Sequence, residues 1–134
     1  MATHTYRFSE FQIGLIESGQ KRCTIRKRRK SPTRPGDTLR LTGPMFAGRA
    51  RLAPRLGRLL RTVECLSVQN IVLTFDRRNY AVIAADIAGE PFEDFPTSVA
   101  ELARMDGFKD AAEMGRYFVR LHGSGTFRGV LIRW

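Results

Sequence analysis

The sequence predicts an α+β domain in which five to six strands form a small, partly closed β-barrel with about three helices packed on it. Three observations lead there. Short segments of strand-like apolar alternation recur between residues 3 and 87 and once more at 127–134. One helix signal stands near the front, and a pair of helix signals stands after residue 97. The length, 134 residues, suits one hydrophobic core, whereas two cores would each be marginal. A single domain over 1–134 is therefore expected.

Each element has a local reason. A strand-like start (Tyr6, Phe8) leads to Ser9, which with Gln12 makes a capping-box pattern, while Phe8 and Ile13 fit a hydrophobic staple. Phe11, Leu15 and Ile16 follow at helical spacing, and Gly19 supplies a left-handed stop. Next, Cys23 and Ile25 share one strand parity and Thr24 and Arg26 the other. That buries the first pair and turns the second toward solvent or a cleft. Pro35-Gly36-Asp37 reads as a turn, and Thr38 to Thr42 as a strand with Leu39 and Leu41 inward.

Residues 43–58 contain three Gly, two Pro and four Arg with no clean period. They are expected to form a long Arg-rich loop insertion, in which Phe46 either anchors the loop or stacks on a base. Residues 59–68 and 71–75 read as strands, Asp76-Arg-Arg-Asn79 as a hairpin turn, and 80–87 as the return strand. Ser98 with Glu101 is a second capping box, opening a short helix that ends near Met105. Asp110 with Glu113 starts a third helix whose apolar face is Met114, Tyr117, Phe118 and Leu121, and Gly123 stops it. Phe127 to Trp134, with the run Val130-Leu131-Ile132, closes the domain as a core strand.

Composition narrows the function. The formal charge is +10 and the pI about 10.8, yet 43% of the residues are hydrophobic, too many for a disordered basic tail. Residues 1–75 hold 15 basic and 4 acidic side chains, and residues 76–134 hold 8 and 9. The excess belongs to one half of the chain, which argues for a localised field that steers a polyanion. Nucleic acid is the first such partner. An anionic membrane comes second, because no broad basic amphipathic helix accompanies the charge. No run is long enough to cross a bilayer, and the polar start Met1-Ala-Thr-His-Thr has no signal-peptide apolar region, so a cytoplasmic location is expected. Cys23 and Cys65 are too few for a disulfide framework, and no CxxC pair suggests zinc, so neither metal nor cofactor is expected.

The most informative stretch is Gly19-Gln-Lys21-Arg-Cys-Thr24-Ile-Arg26. It resembles the G-x-K-x-x-[ET]-x-R signature of the ASCH domain family, relatives of the PUA-like RNA-binding barrels. A strand and helix precede it, Pro35-Gly36-Asp37 follows, and Met105-Asp-Gly-Phe108 leads into Glu113-Met114 and Phe118. The closing strand is also similar to the family's, so the resemblance covers most of the chain apart from 43–58. It implies a PUA-like barrel with a cleft near the first helix that holds a nucleotide or single-stranded RNA.

Thr24 makes the motif similar to that of the small bacterial amidohydrolases that deacetylate acetylcytidine. The resemblance to that branch implies a catalytic set of Lys21, Thr24 and Asp106, the last where the branch carries Glu, one methylene longer. A Thr hydroxyl is a weak nucleophile and needs a base within hydrogen-bond reach, a role Lys fills only when neutral. Lys21 and Thr24 also have opposite parity, so they converge only if the chain bends between Lys21 and Cys23. On spacing alone, a Lys and a Thr after a helix stop are an exposed charge and a strand-surface residue.

Arg26-Lys27-Arg28-Arg29-Lys30 and Arg22 are the candidate nucleic-acid contacts, with Arg forks on phosphate oxygens. Cys23, by its parity with Ile25, is expected to be a buried small hydrophobe. His122 is expected to interact with the C-terminal dipole of the third helix. Gly123-Ser-Gly125 is a turn, lacking the Lys of a phosphate loop. Two functions follow in order: an RNA, single-stranded nucleic-acid or nucleotide-binding domain, and an amidohydrolase acting on acetylcytidine or a related modified nucleoside. Ribonuclease activity, which some ASCH relatives suggest, ranks third, since no His pair is present to cleave RNA without a metal. The charge sets that order, because a small neutral nucleoside has no need of it.

Overall fold

The computed structural model describes the chain except positions 45, 48–49, 52–56, 92 and 94, and at 46, 47, 50 and 51 it describes backbone alone. The architecture is α+β. β1 (Thr3–Arg7) leads through a 3-10 turn (Glu10–Gln12) into α1 (Ile13–Glu17), and β2 (Cys23–Arg26) follows. Then come β3 (Thr38–Pro44), two short strands β4 (Phe46–Ala47) and β5 (Ala50–Arg51), and β6 (Gly57–Glu64). β7 (Ser67–Phe75), β8 (Val82–Ile87), α2 (Val99–Met105), α3 (Ala111–His122) and β9 (Phe127–Arg133) complete the chain.

Among the described residues seven strands form two open sheets, ordered β1-β3-β6 and β2-β9-β7-β8, and β4 pairs with β5 as a separate ribbon. β1 runs parallel to β3; every other pairing is antiparallel. β2 and β1 therefore each lie at a sheet edge. The chain crosses between sheets at Cys65-Leu66, where Cys65 N–H donates to Asp37 O and Leu66 N–H to Arg133 O.

β9 is buried on both faces, as its apolar run requires. Val130, Ile132 and Trp134 join Tyr6, Phe8, Leu39 and Leu41 in one core. Phe127 and Leu131 point the other way, into a core built from Ile71, Leu73, Leu102, Met114 and Phe118. The alternation of side chains along one extended strand thus serves two hydrophobic cores.

Several local expectations hold. The Gly19 φ of +80° ends α1, and Asp76 accepts from Arg78 N–H and Asn79 N–H in the hairpin turn. Ser98 accepts from Glu101 N–H, Asp110 accepts from Glu113 N–H, and α2 ends at Met105. Others are corrected. The Ser9–Gln12 capping box does not form: Ser9 makes no capping bond, and the Gln12 amide turns inward to a distant partner. The strand break lies at Cys65-Leu66, not at 69–70, because the chain changes sheets there. The insertion expected over 43–58 is shorter, since β3 runs on to Pro44 and β6 starts at Gly57, pairing Pro44 with Gly57. The side chain of Phe46 lies outside the described residues. Leu121 is exposed rather than part of the buried face of α3.

Candidate functional site

The chain leaves α1 through Gly19 and re-enters a sheet only at Cys23. Lys21 therefore belongs to the connecting segment, where its N–H donates to Leu15 O at 2.9 Å. It carries the Lys21 side chain inward until only 1% remains exposed.

Lys21 meets Asp106 there. Nζ lies 2.7 Å from Asp106 Oδ1 and 2.5 Å from Asp106 O, so two acceptors of one residue hold it. Asp106 caps the C-terminal end of α2, and the chain escapes through Gly107 at φ +87°. A Cβ at that glycine would touch Lys21 Cδ and Leu15 Cδ1, each at 3.3 Å, so a side chain there would be both strained and crowded. Burial raises the Asp106 carboxyl above its ordinary range; the Lys21 ammonium, Arg26 and the Ile25 N–H oppose the rise.

Gln12 completes the cluster. Its Nε2 donates to Asp106 O at 3.1 Å, which fixes the amide orientation, since a carbonyl only accepts. Thr24 is buried on β2, and its hydroxyl accepts from Arg26 Nε at 3.0 Å. Thr24, Asp106, Gln12, Arg26, Tyr117 and His122 line a cavity of about 130 Å³ between the β2 edge and α3. Lys21 does not line it. A larger cavity of about 450 Å³ includes Arg22, Cys23, Arg133 and Trp134 but none of the three expected catalytic residues.

The basic segment is partly folded back on β1. Arg26 Nη2 donates to Arg7 O at 2.5 Å, with its guanidinium carbon 4.8 Å from the Phe8 ring centre. Arg29 Nη2 donates to Thr5 O at 2.7 Å, with its guanidinium carbon 3.8 Å from the Tyr6 ring centre. Arg28 reaches Asn70 Oδ1, and Arg22 Nε donates to Gly19 O at 3.1 Å. Lys27 and Lys30 are exposed. All these acceptors are neutral. The ion pairs among the described residues are His4–Asp37, Lys21–Asp106 and Arg58–Glu17, so residues 26–30 form no ion pair there.

Two side expectations resolve here. The Cys23 thiol is pushed up to about 12, chiefly by burial, and packs with Ile25 as a small hydrophobe. His122 stands in the last turn of α3, as expected, and its ring rests on Phe127, centroids 4.9 Å apart. Partial burial, then Lys27 and Arg26, hold it below the ordinary range, the reverse of what a helix C-terminus does. Gln12, Tyr117 and His122 are among the lining residues that sequence reasoning missed. For Gln12 the local capping pattern pointed elsewhere, and for the other two helical periodicity assigned only a core face or an end.

Among the described residues no group of three His, Cys, Asp or Glu could hold a metal ion, and no helix is long and apolar enough to cross a membrane. No protein-family profile, curated protein or solved structure matches the chain.

Proposed function

We propose that the protein is an ASCH-type domain that binds single-stranded RNA or a nucleotide at the cleft between β2 and α3. The observation that carries this reading is a run of cations without ion-pair partners. Arg26 and Lys27 of the five line a small cavity, and the hydrogen bonds of Arg26, Arg28 and Arg29 go to carbonyl, hydroxyl and amide oxygens rather than to carboxylates. Such a field attracts phosphate, whose oxygens suit guanidinium forks. Tyr117 in the cavity wall adds aromatic surface for a base. The PUA-like barrel belongs to the same proposal, as a closer form of the two sheets that share β9 between their cores. Affinity for a short single-stranded RNA, measured against salt, tests it. Neutralising about six phosphates gives a log–log slope near −4, whereas a flat response would sink the reading.

A second reading, hydrolysis of the amide of acetylcytidine or a related modified nucleoside, is favoured by the Lys21–Asp106 contact and by Thr24 and Asp106 sharing one cavity. In it Thr24 supplies the hydroxyl, and Asp106, with its carboxyl raised by burial, relays a proton. Lys21, whose Nζ donates to two oxygens of Asp106, positions that carboxyl rather than acting as the base. Incubation with acetylcytidine then releases acetate. Turnover should fall at least about a hundredfold in Thr24→Val, the low end of what a positioned catalytic group contributes. Equal turnover by the variant removes Thr24 from the chemistry.

A further inference from the structure

We propose that Arg29 is a stacking platform for one base of the bound single strand, an inference that rests on the nucleic-acid reading above. The guanidinium of Arg29 is centred over Tyr6 at 3.8 Å, and one of its nitrogens is tied to Thr5 O. Tyr6 is itself immobilised: it is 2% exposed, and its hydroxyl lies 2.6 Å from Thr33 Oγ1. The Arg29 guanidinium therefore rests on an anchored ring, while the residue remains exposed to solvent. A flat, delocalised cation held in place and exposed is suited to stack on a nucleobase, giving a layered Tyr6, Arg29 and base arrangement.

Position supports the same use. Thr5 and Arg7 are two residues apart on β1, so their carbonyls leave the strand on one side, roughly 7 Å apart. They hold Arg29 and Arg26 in a row along the free edge of β1, and Arg26 lines the cavity. A base on Arg29 thus neighbours whatever part of the strand reaches the cavity. Arg29 contributes planarity as well as charge, which separates it from Lys27 and Lys30.

The experiment scans an abasic nucleotide through a short mixed-sequence single-stranded RNA bound to the full chain. In the wild type one abasic position should weaken binding about tenfold, the scale of one base stack. Arg29→Lys keeps the charge, so it should bind intact RNA about tenfold more weakly with an unchanged salt slope. It should show no further loss at that abasic position. Arg78→Lys, the same exchange at an exposed arginine of the β7–β8 turn outside the basic segment, should stay within about twofold of wild type. If Arg29→Lys binds within twofold of wild type while steep salt dependence persists, the stacking inference falls and the nucleic-acid reading stands. Should the variant lose its fold, the wild-type scan decides alone, and a scan with no sensitive position overturns the inference. A wild type that binds no RNA overturns both.

Discussion

Replacing Lys21 with methionine should lower the unfolding free energy by about 3–5 kcal/mol, the cost of stranding one partner of a buried ion pair. Few surface lysines would cost anything comparable, but this one is 1% exposed, and its partner Asp106 is 3% exposed. The loss should appear as a drop of roughly 10–20 °C in Tm for a domain of this size. It should also depend on pH in a fixed direction. Burial already raises the Asp106 carboxyl in the folded state, and removing the ammonium removes its main opposition. A carboxyl raised in the folded state binds its proton more tightly there than in the unfolded chain. The deficit of the variant is therefore full above the folded-state pKa of Asp106 and shrinks as pH falls through it. Urea unfolding at neutral and mildly acidic pH checks both parts. A neutral-pH loss under about 1 kcal/mol, the range of exposed pairs, would show that the pair does not hold the fold. The double replacement Lys21→Met with Asp106→Leu should recover much of the loss, because no charge is then left behind.

The second large effect concerns a glycine and runs against helix propensity. In a helix interior, alanine is better than glycine by about 1 kcal/mol. Gly115 lies within α3, yet a Cβ placed there would stand 1.8 Å from Tyr80 O and 2.8 Å from Tyr80 C. Both atoms are backbone, in the turn before β8, and Tyr80 itself has φ +62°. Neither side can yield without moving α3 or the β7–β8 hairpin as a unit. Gly115→Ala should therefore destabilise the protein by about 3 kcal/mol or more, at the upper end of overpacking costs. Gly14→Ala in α1, where nothing lies within 4 Å of the added carbon, is the matched control. It should be neutral or stabilise by up to about 1 kcal/mol. Chemical denaturation of the two variants side by side gives the answer, and equal behaviour would refute the steric account.

The contrast between legible and illegible features follows the range of the forces involved. The Ser98 and Asp110 caps form as expected because cap and partner are three residues apart and nothing distant competes. Ser9 and Gln12 have the same spacing, but the Gln12 amide is drawn to Asp106 O, 94 residues away, and the local pattern loses. The Gly19, Pro35-Gly36-Asp37 and Asp76–Asn79 turns were readable from backbone chemistry alone. Cys65-Leu66 has no turn chemistry, and the break there arises only because Asp37, just before β3, and Arg133 of β9 draw successive backbone groups toward different sheets. At the candidate site, the Lys21–Asp106 pairing was suggested by resemblance, and its burial was not readable at all. A lysine next to Arg22 in a basic segment has every local reason to be solvated. Only the carbonyl and carboxylate of residue 106, arriving from the far end of α2, make an interior position tolerable. The docking of Arg26 and Arg29 on β1 was hidden for a related reason. Charge runs read as solvated faces, and the acceptors here are backbone carbonyls, which sequence does not distinguish.

The strand β9 has a consequence for how the molecule comes into being. It pairs with β2 from Cys23↔Arg133 to Arg26↔Val130 and with β7 on its other side. Both cores need its side chains. Contacts spanning more than a hundred residues make for slow folding, since the loop must close before they form. During synthesis from the N-terminus, the basic half leaves the ribosome long before its central strand exists. For that interval neither core can close, and the cations of residues 21–30 are displayed on an unfinished chain. Emergence of residues 127–134 is then the event that converts a cationic polymer into a shaped surface.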